Sequence, residues 1–300
     1  VRVILLICGL LLALVALAAE AGMKAGPNMA GPGHHRLKGV SGEAPPLDGL
    51  TTPTVAISFR KLLSAYAGPA MRIRRASDNA ELDVNFLGCS GFTGCPWDEV
   101  AAASHCAATN CFLKTGYDQS GGARHHTNAA AVGQPPIVFG CQAGLACLAT
   151  SDSAHALAGP SITPATGVAS FSAVANRVSG TGGCVLAREN GAAGQRITAG
   201  LSASQWRMLG GTSGTITATA ADATWHAAAG VVNGASSVLS IDGVETTGTA
   251  TGSTTAGTPS VAGITGTVCR ESEWIVWDNY VRTPAERAAL IANQRSFFNF

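Results

Sequence analysis

The sequence predicts an all-β sandwich or jelly roll closed by one C-terminal helix. Three observations carry this. From Phe171 onward, short segments of strand-like pattern follow one another with turn residues between them, the texture of a sandwich rather than of a helical repeat. Asn233-Gly234 and Asp242-Gly243 are dipeptides strongly preferred in tight hairpins. Thr283, Pro284 and Glu286 stand as N-cap, N1 and N3 of a capping box. The helix they open would dock Leu290, Ile291, Phe297 and Phe298 on the sandwich.

Along the chain, Arg2 precedes an almost unbroken apolar run from Val3 to Ala18. That is short for a spanning helix and has the pattern of a signal peptide over residues 1–19. Residues 20–53 read as a flexible Gly/Pro-rich linker, with AGPNMAGPGHH (Ala25–His35) and GEAPPL (Gly42–Leu47). The remainder, 54–300, reads as a single sandwich domain. An exported chain is therefore secreted or extracellular, with no membrane contact once the signal is removed.

Within that domain SFRKLLSAY (Ser58–Tyr66) predicts a short helix with Phe59, Leu62 and Leu63 on one face. Met71 and Ile73 alternate with Arg72 and Arg74 as in a half-buried strand, and Leu82, Val84 and Phe86 alternate again. Trp97–Ala103 predicts a second short helix. Cys111–Tyr117 predicts a strand ending in the polar turn Asp118–Gly122. Further strands are expected at Gly183–Arg188, Gln195–Leu201, Gln205–Leu209, Gly214–Thr219, Trp225–Val232 and Ser237–Ile241. The Thr/Gly/Ser-rich stretch Thr246–Pro259 is expected to be an edge hairpin. In Thr267–Asp278, Trp274 and Val276 share one face and Ile275 and Trp277 the other, which places this strand at the sandwich centre.

Net charge is +1 and only 12% of residues are charged, about half the usual share. Such a surface carries no electrostatic footprint for nucleic acid, and polar uncharged partners such as glycans suit it better. With Cys8 in the signal, eight cysteines remain, an even number in an exported chain. Short spacings favour Cys89 with Cys95, Cys106 with Cys111 and Cys141 with Cys147, leaving Cys184 with Cys269. The rival for one pair is a zinc site from His105, Cys106 and Cys111, whose spacing matches no standard zinc motif. No phosphate loop is present, because GGTSG (Gly210–Gly214) and SGTGG (Ser179–Gly183) lack the lysine. No cofactor and no metal are expected.

Two stretches resemble one known family. SFRKLLSAYAGPAMRIRRASDNAELDVNF (Ser58–Phe86), HCAATNC (His105–Cys111), YDQSGGARHHTNA (Tyr117–Ala129) and QPPIV (Gln134–Val138) resemble the front half of the α-L-arabinofuranosidase B catalytic domain and of its phage and bacterial relatives. TWHAAAGVVNGASSVLSIDG (Thr224–Gly243) and SEWIVWDNYVRTPAERAALIANQ (Ser272–Gln294) resemble the concanavalin A/laminin-G sandwich. The resemblance implies a concanavalin A-like jelly-roll β-sandwich with a C-terminal helix, acting on or binding arabinofuranosyl-containing polysaccharide. The alternative is a non-catalytic glycan-binding or adhesion module, laminin-G-like and virion- or surface-associated.

A retaining glycosidase needs two carboxyl groups about 5–5.5 Å apart. The family's nucleophile lies in an Asp-Leu-Glu-Asn-Gly motif. Here Glu189, Asn190 and Gly191 match it, with Ala187 and Arg188 replacing the first two residues. Glu189 is thus the candidate nucleophile and Asn190 a substrate-binding residue. The family's acid/base Asp has no counterpart in AGITGTV (Ala262–Val268). Glu271 and Glu273, expected on one face of the following strand, are the substitutes. The family's adjacent-cysteine pair is also missing, since Cys141 and Cys147 lie apart. Trp206, next to Arg207, is the candidate surface platform for a sugar ring, and Asp118 and Gln119 are candidate binding residues. Trp225, Trp274 and Trp277 are expected in the core.

Overall fold

The computed structural model describes residues 45–88, 95–151, 155–180, 183–188, 196–199, 205–211, 213–221, 223–262 and 267–300. The expected signal peptide, most of the expected linker, Cys89, Glu189 and Asn190 lie outside these residues. Among the described residues the strands form two sheets. The first holds β1 (Val55–Ser58), β6 (Ile137–Gln142), β7 (Leu145–Thr150), β9 (Ala169–Gly180), β14 (Trp225–Val232), β15 (Gly234–Ile241), β16 (Val244–Ala250) and β18 (Thr267–Asp278). Its order is β16-β15-β14-β9-β18-β7-β6, with β1 also paired to β18.

The second sheet holds β2 (Met71–Arg75), β3 (Glu81–Val84), β4 (Cys111–Gly116), β5 (His126–Thr127), β8 (Ala156–Ala158), β10 (Cys184–Arg188), β11 (Arg196–Ala199), β12 (Gln205–Leu209), β13 (Thr215–Thr219) and β17 (Ser260–Ala262). Its order is β13-β12-β11-β10-β17-β8-β5-β4-β2-β3. Among the described residues the strand pairings are antiparallel, including β18 with β9, β7 and β1.

One apolar cluster fills the space between the sheets. Val55, Ile57, Ala173, Trp274 and Val276 of the first sheet meet Ile73, Leu113, Leu186, Met208 and Ile216 of the second. The other face of the first sheet is covered too. Ile275, Trp277 and Ala56 pack under Leu47, Leu62 and Leu290, and Ala227 and Ala229 pack under Ile291. A strand buried on both faces reads as continuous apolar residues, which is why β18 carries two tryptophans on opposite sides.

The covering helix, α2 (Pro284–Phe298), follows a short α1 (Glu99–His105) in chain order. Thr283 caps α2, accepting from the Glu286 backbone while the Glu286 side chain accepts in return, as its sequence predicts. Asp98 caps α1 by accepting from Ala101 N at 3.0 Å. Asp242 and Gly243 both hold positive φ, 53° and 93°, and close the β15–β16 hairpin.

Four expectations are corrected. Ser58–Tyr66 is not a helix: Ser58 ends β1, and Arg60 forms an isolated bridge to Pro96. Phe59 enters the core between the sheets while Leu62 enters the cluster on the outer face, two destinations that one helix face could not serve. Packing begins before the expected linker ends, with Leu47 1% exposed and its N–H donating to Leu62 O. Thr246–Pro259 is not a hairpin: β16 is an edge strand of the first sheet, and the chain then crosses to β17 in the second. Trp206 is 3% exposed and sits in the core, edge-on to His226 at 5.6 Å between ring centroids; in β12 it is Arg207 that takes the outward parity.

The disulfides Cys106–Cys111, Cys141–Cys147 and Cys184–Cys269 are all formed. The first uses the two thiols of the alternative zinc site, and His105 Nε2 lies 3.2 Å from Ala80 O. Cys95 is disulfide-bonded as well. Cys184–Cys269 joins β10 to β18, tying one sheet to the other.

Candidate functional site

β18 carries both described carboxyl candidates, and a bulge separates them. Opposite β9 the register shifts between Glu271 and Glu273, so Glu271 faces Ala175 while Glu273 faces Val174. An extra residue in one strand breaks the two-residue alternation. Glu271 pairs with Leu148, a residue of the core between the sheets. Glu273 pairs with Ser58, on the side covered by α2. The two glutamates therefore face opposite layers, not the single face that plain alternation predicts.

Glu273 is held by four hydrogen bonds. Arg60 donates from Nε to Oε2 at 2.7 Å and from Nη2 to Oε1 at 3.1 Å. Ser58 Oγ donates to Oε2 at 2.9 Å, and Gln294 Nε2 to Oε1 at 2.9 Å. Both side chains of this ion pair are essentially unexposed, at 1% and 0%. Arg60 also donates to Asn293 Oδ1 and lies over the Phe297 ring. Such a carboxylate is committed as an acceptor and has no free lone pair aimed at solvent.

Glu271 is in the opposite situation. It is 1% exposed; Thr150 Oγ1 lies 3.4 Å from Oε1, and Oε2 has no partner. Burial pushes its carboxyl well above the usual range, offset only in part by the Thr150 hydroxyl. It remains protonated where an exposed glutamate is charged. It lies two residues from Cys269, and its bonding partner Thr150 pairs with that cysteine. The acid thus sits beside the disulfide linking the sheets.

A pH test follows. Because the folded carboxyl is raised, its contribution to stability is fully present below the unfolded value near 4.5 and is lost as pH rises. Each pH unit above that value costs about 1.4 kcal/mol until the folded group itself ionises. Glu271→Gln is expected to gain on wild type by more than about 1 kcal/mol between pH 4 and pH 7. Urea unfolding at both pH values measures this, and equal gains at both would contradict a raised carboxyl.

Asp118 and Gln119 follow β4 and are each 1% exposed. Asp118 Oδ1 accepts from Ala56 N and Ser120 N at 2.9 Å, and Oδ2 from Arg124 N at 2.9 Å and Ser120 Oγ at 2.7 Å. Gln119 Oε1 accepts from Leu62 N at 2.7 Å, while Nε2 donates to Arg60 O at 3.0 Å. Both side chains therefore strap the loop after β1 to the end of β4, and neither faces outward toward a sugar.

His226 joins its surroundings from both ring nitrogens, Nδ1 to Asp242 Oδ2 at 2.6 Å and Nε2 to Ala221 O and Thr224 Oγ1 at 2.8 Å. Its pKa is raised by the Asp242 carboxylate and the Ala221 carbonyl, which together outweigh burial. Among the described residues no group of three His, Cys, Asp or Glu side chains could hold a metal. Likewise no described helix is long and apolar enough to cross a membrane.

Two antiparallel sheets packed face to face, tied by a disulfide and covered on one outer face by a helix, define a β-sandwich. The family model for the α-L-arabinofuranosidase B catalytic domain matches residues 48–167, less than half of the chain. Probable α-L-arabinofuranosidase B of Aspergillus terreus is 39% identical over 80 residues, 26% of this chain and 15% of that protein. The α-L-arabinofuranosidase of Hypocrea jecorina is likewise 39% identical over 80 residues, with the same shares.

The structure is similar to an α-L-arabinofuranosidase soaked with a cyclic sulfate inhibitor, at TM-score 0.60 and 16% identity over 82% of this chain and 63% of that one. It is also similar to an arabinofuranosidase complexed with arabinofuranosyl-α-1,2-xylobiose, at TM-score 0.58 and the same coverage. The chain thus resembles the α-L-arabinofuranosidase B catalytic domain in sequence through its front half and in fold through most of its length. The sequence match spans 15% of the curated relatives' own length.

Proposed function

We propose that this chain is an exported carbohydrate-active protein, its residues 54–300 forming one sandwich domain that acts on or binds arabinofuranosyl-containing polysaccharide. The observation that carries the reading is the coincidence of two independent likenesses. The catalytic-domain model matches 48–167, while the fold likeness extends over 82% of the chain. Three disulfides support export, since such bonds persist in oxidising compartments. Glu189 is the proposed nucleophile, with Asn190 beside it to orient the sugar.

A second reading has its own observation. Glu271 faces the interior and Glu273 is locked to Arg60, so neither is presented to a leaving oxygen. This favours a module that binds the glycan without cleaving it.

The test runs the purified protein on nitrophenyl arabinofuranoside and on a glycan array in parallel. Turnover abolished by Glu189→Gln, with sugar binding kept, establishes the hydrolase. Binding without turnover establishes the module. Neither binding nor turnover on any arabinofuranosyl glycan overturns the proposal.

A further inference from the structure

The outer face of the second sheet carries a cluster at its β2–β5 end that neither the core nor the candidate carboxyl groups use. Strand register puts it there. Between Arg72 and Ile73 the pairing with β4 shifts, so Arg72 faces Thr115 and Ile73 faces Leu113. Lys114 is the extra residue, and it resets the alternation of β4. Leu113 is in the core, and a β-carbon on Gly116 would lie 2.8 Å from Ile57 Cγ2, so both positions face inward. Thr115 and Tyr117 therefore point outward. On β5, His126 is buried opposite Gly116, which sends its neighbours His125 and Thr127 outward beside them.

Tyr117 does not stand off the sheet. Its hydroxyl donates to Asp83 Oδ1 at 2.7 Å, and Asp83 belongs to β3, two strands from β4. The ring thus lies across β2, half-buried. Hydrogen-bonding groups surround it. Asp83 accepts from Arg72 Nε at 2.7 Å and from Nη2 at 2.6 Å, and both side chains keep 39% of their surface exposed. His125 packs edge to face with Tyr117, 5.0 Å between ring centroids. Its Nδ1 accepts from Asp118 N at 3.0 Å, so the ring proton sits on Nε2, which has no acceptor among the described residues. The hydroxyls of Thr115 and Thr127 lie 3.3 Å apart on the neighbouring positions.

We propose that this cluster binds a neutral polysaccharide, with Tyr117 as the platform for one sugar ring. The proposal rests on the glycan reading above and adds a place of contact apart from Glu189. β4 stands four strand spacings from β10, the strand that leads to Glu189, or roughly 19 Å of sheet. A tyrosine ring gives an apolar surface to the C–H face of a sugar while its polar tip stays bonded. Around it stand a donor, His125 Nε2, an acceptor, Asp83, and two hydroxyls that are both. Sugar hydroxyls, donors and acceptors at once, need that mixture. The Arg72 charge is offset by Asp83, so the cluster holds no surplus cation for an acidic polymer or a phosphate backbone.

The experiment measures retention of the full chain on immobilised arabinan, arabinoxylan, unbranched xylan and polygalacturonate. Wild type is compared with Tyr117→Ala, Tyr117→Phe, Thr127→Val and, as a control on exposed β13 of the same sheet, Thr217→Val. Thermal melting checks that each variant is folded. The expected result is retention on at least one neutral polymer that is weakened about tenfold by Tyr117→Ala. Tyr117→Phe and Thr127→Val lose less, and Thr217→Val matches wild type. Should Tyr117→Ala fail to fold, wild type decides by itself: the His125 ring-proton resonances shift when an oligosaccharide of the retained polymer is added.

Folded Tyr117→Ala retained like wild type, equal loss in Thr217→Val, or unmoved His125 resonances each overturns the proposal. So does retention on no neutral polymer, or stronger retention on polygalacturonate than on all three. Tyr117-dependent retention on unbranched xylan, with none on arabinan or arabinoxylan, strikes the arabinofuranosyl reading and leaves this one standing. Retention on arabinan that Tyr117→Ala does not touch does the reverse.

Discussion

Replacing Arg60 with methionine is expected to cost the fold about 3–5 kcal/mol, the penalty for leaving a buried charge without its partner. Glu273 would keep Ser58 and Gln294 as donors but lose both guanidinium bonds in a site that water does not reach. Arg60 also touches Asn293 and the Phe297 and Phe298 rings, so the loss extends to the seating of α2. The double variant Arg60→Met with Glu273→Gln should be far less damaged than the single one, because no uncompensated charge remains. Chemical unfolding of the two variants measures this. A single variant within about 1 kcal/mol of wild type would show the pair to be dispensable, as exposed pairs are.

The second large effect belongs to Cys184–Cys269. The bond spans 85 residues, and the chain-entropy model gives about 4.6 kcal/mol for a loop of that length. Cys106–Cys111 spans 5 residues and gives about 2 kcal/mol on the same scale. Cys184→Ala with Cys269→Ala should therefore destabilise roughly twice as much as Cys106→Ala with Cys111→Ala in urea. Equal losses would mean that strain or packing at the cysteines, rather than loop closure, sets their contribution.

The sequence is most legible where local chemistry decides. Thr283, Pro284 and Glu286 satisfy the first turn of α2 by themselves, and Asp242-Gly243 fixes a turn whose φ values few other pairs adopt. The apolar residues on both faces of Trp274–Trp277 suffice to place β18 centrally, and cysteine spacing suffices for Cys106–Cys111 and Cys141–Cys147. Legibility fails where tertiary contacts overrule the local pattern. Phe59, Leu62 and Leu63 have helical spacing, but Arg60 is drawn to Glu273, more than two hundred residues away. β1, Val55–Ser58, is four residues buried on both faces, so it offers no alternation to detect.

The candidate site was less legible than the fold. Asp118 and Gln119 look like ligand-binding polar residues in a glycine-rich turn, and nothing local shows that backbone groups such as Ala56 N and Leu62 N occupy them. Trp206 beside Arg207 suggests a surface platform, yet in a strand adjacent residues have opposite destinations.

The irregularity at Ser272 changes how this chain should be laid against its relatives. Upstream of it, odd-numbered residues such as Cys269 and Glu271 are addressed to the inner layer; downstream, the even-numbered Trp274 and Val276 are. The strand is in effect two reading frames joined at a single residue. An ungapped comparison that runs straight through position 272 gives the wrong orientation to everything on one side of it. The two halves need independent alignment before any residue of another sandwich is matched to Glu271 or Glu273.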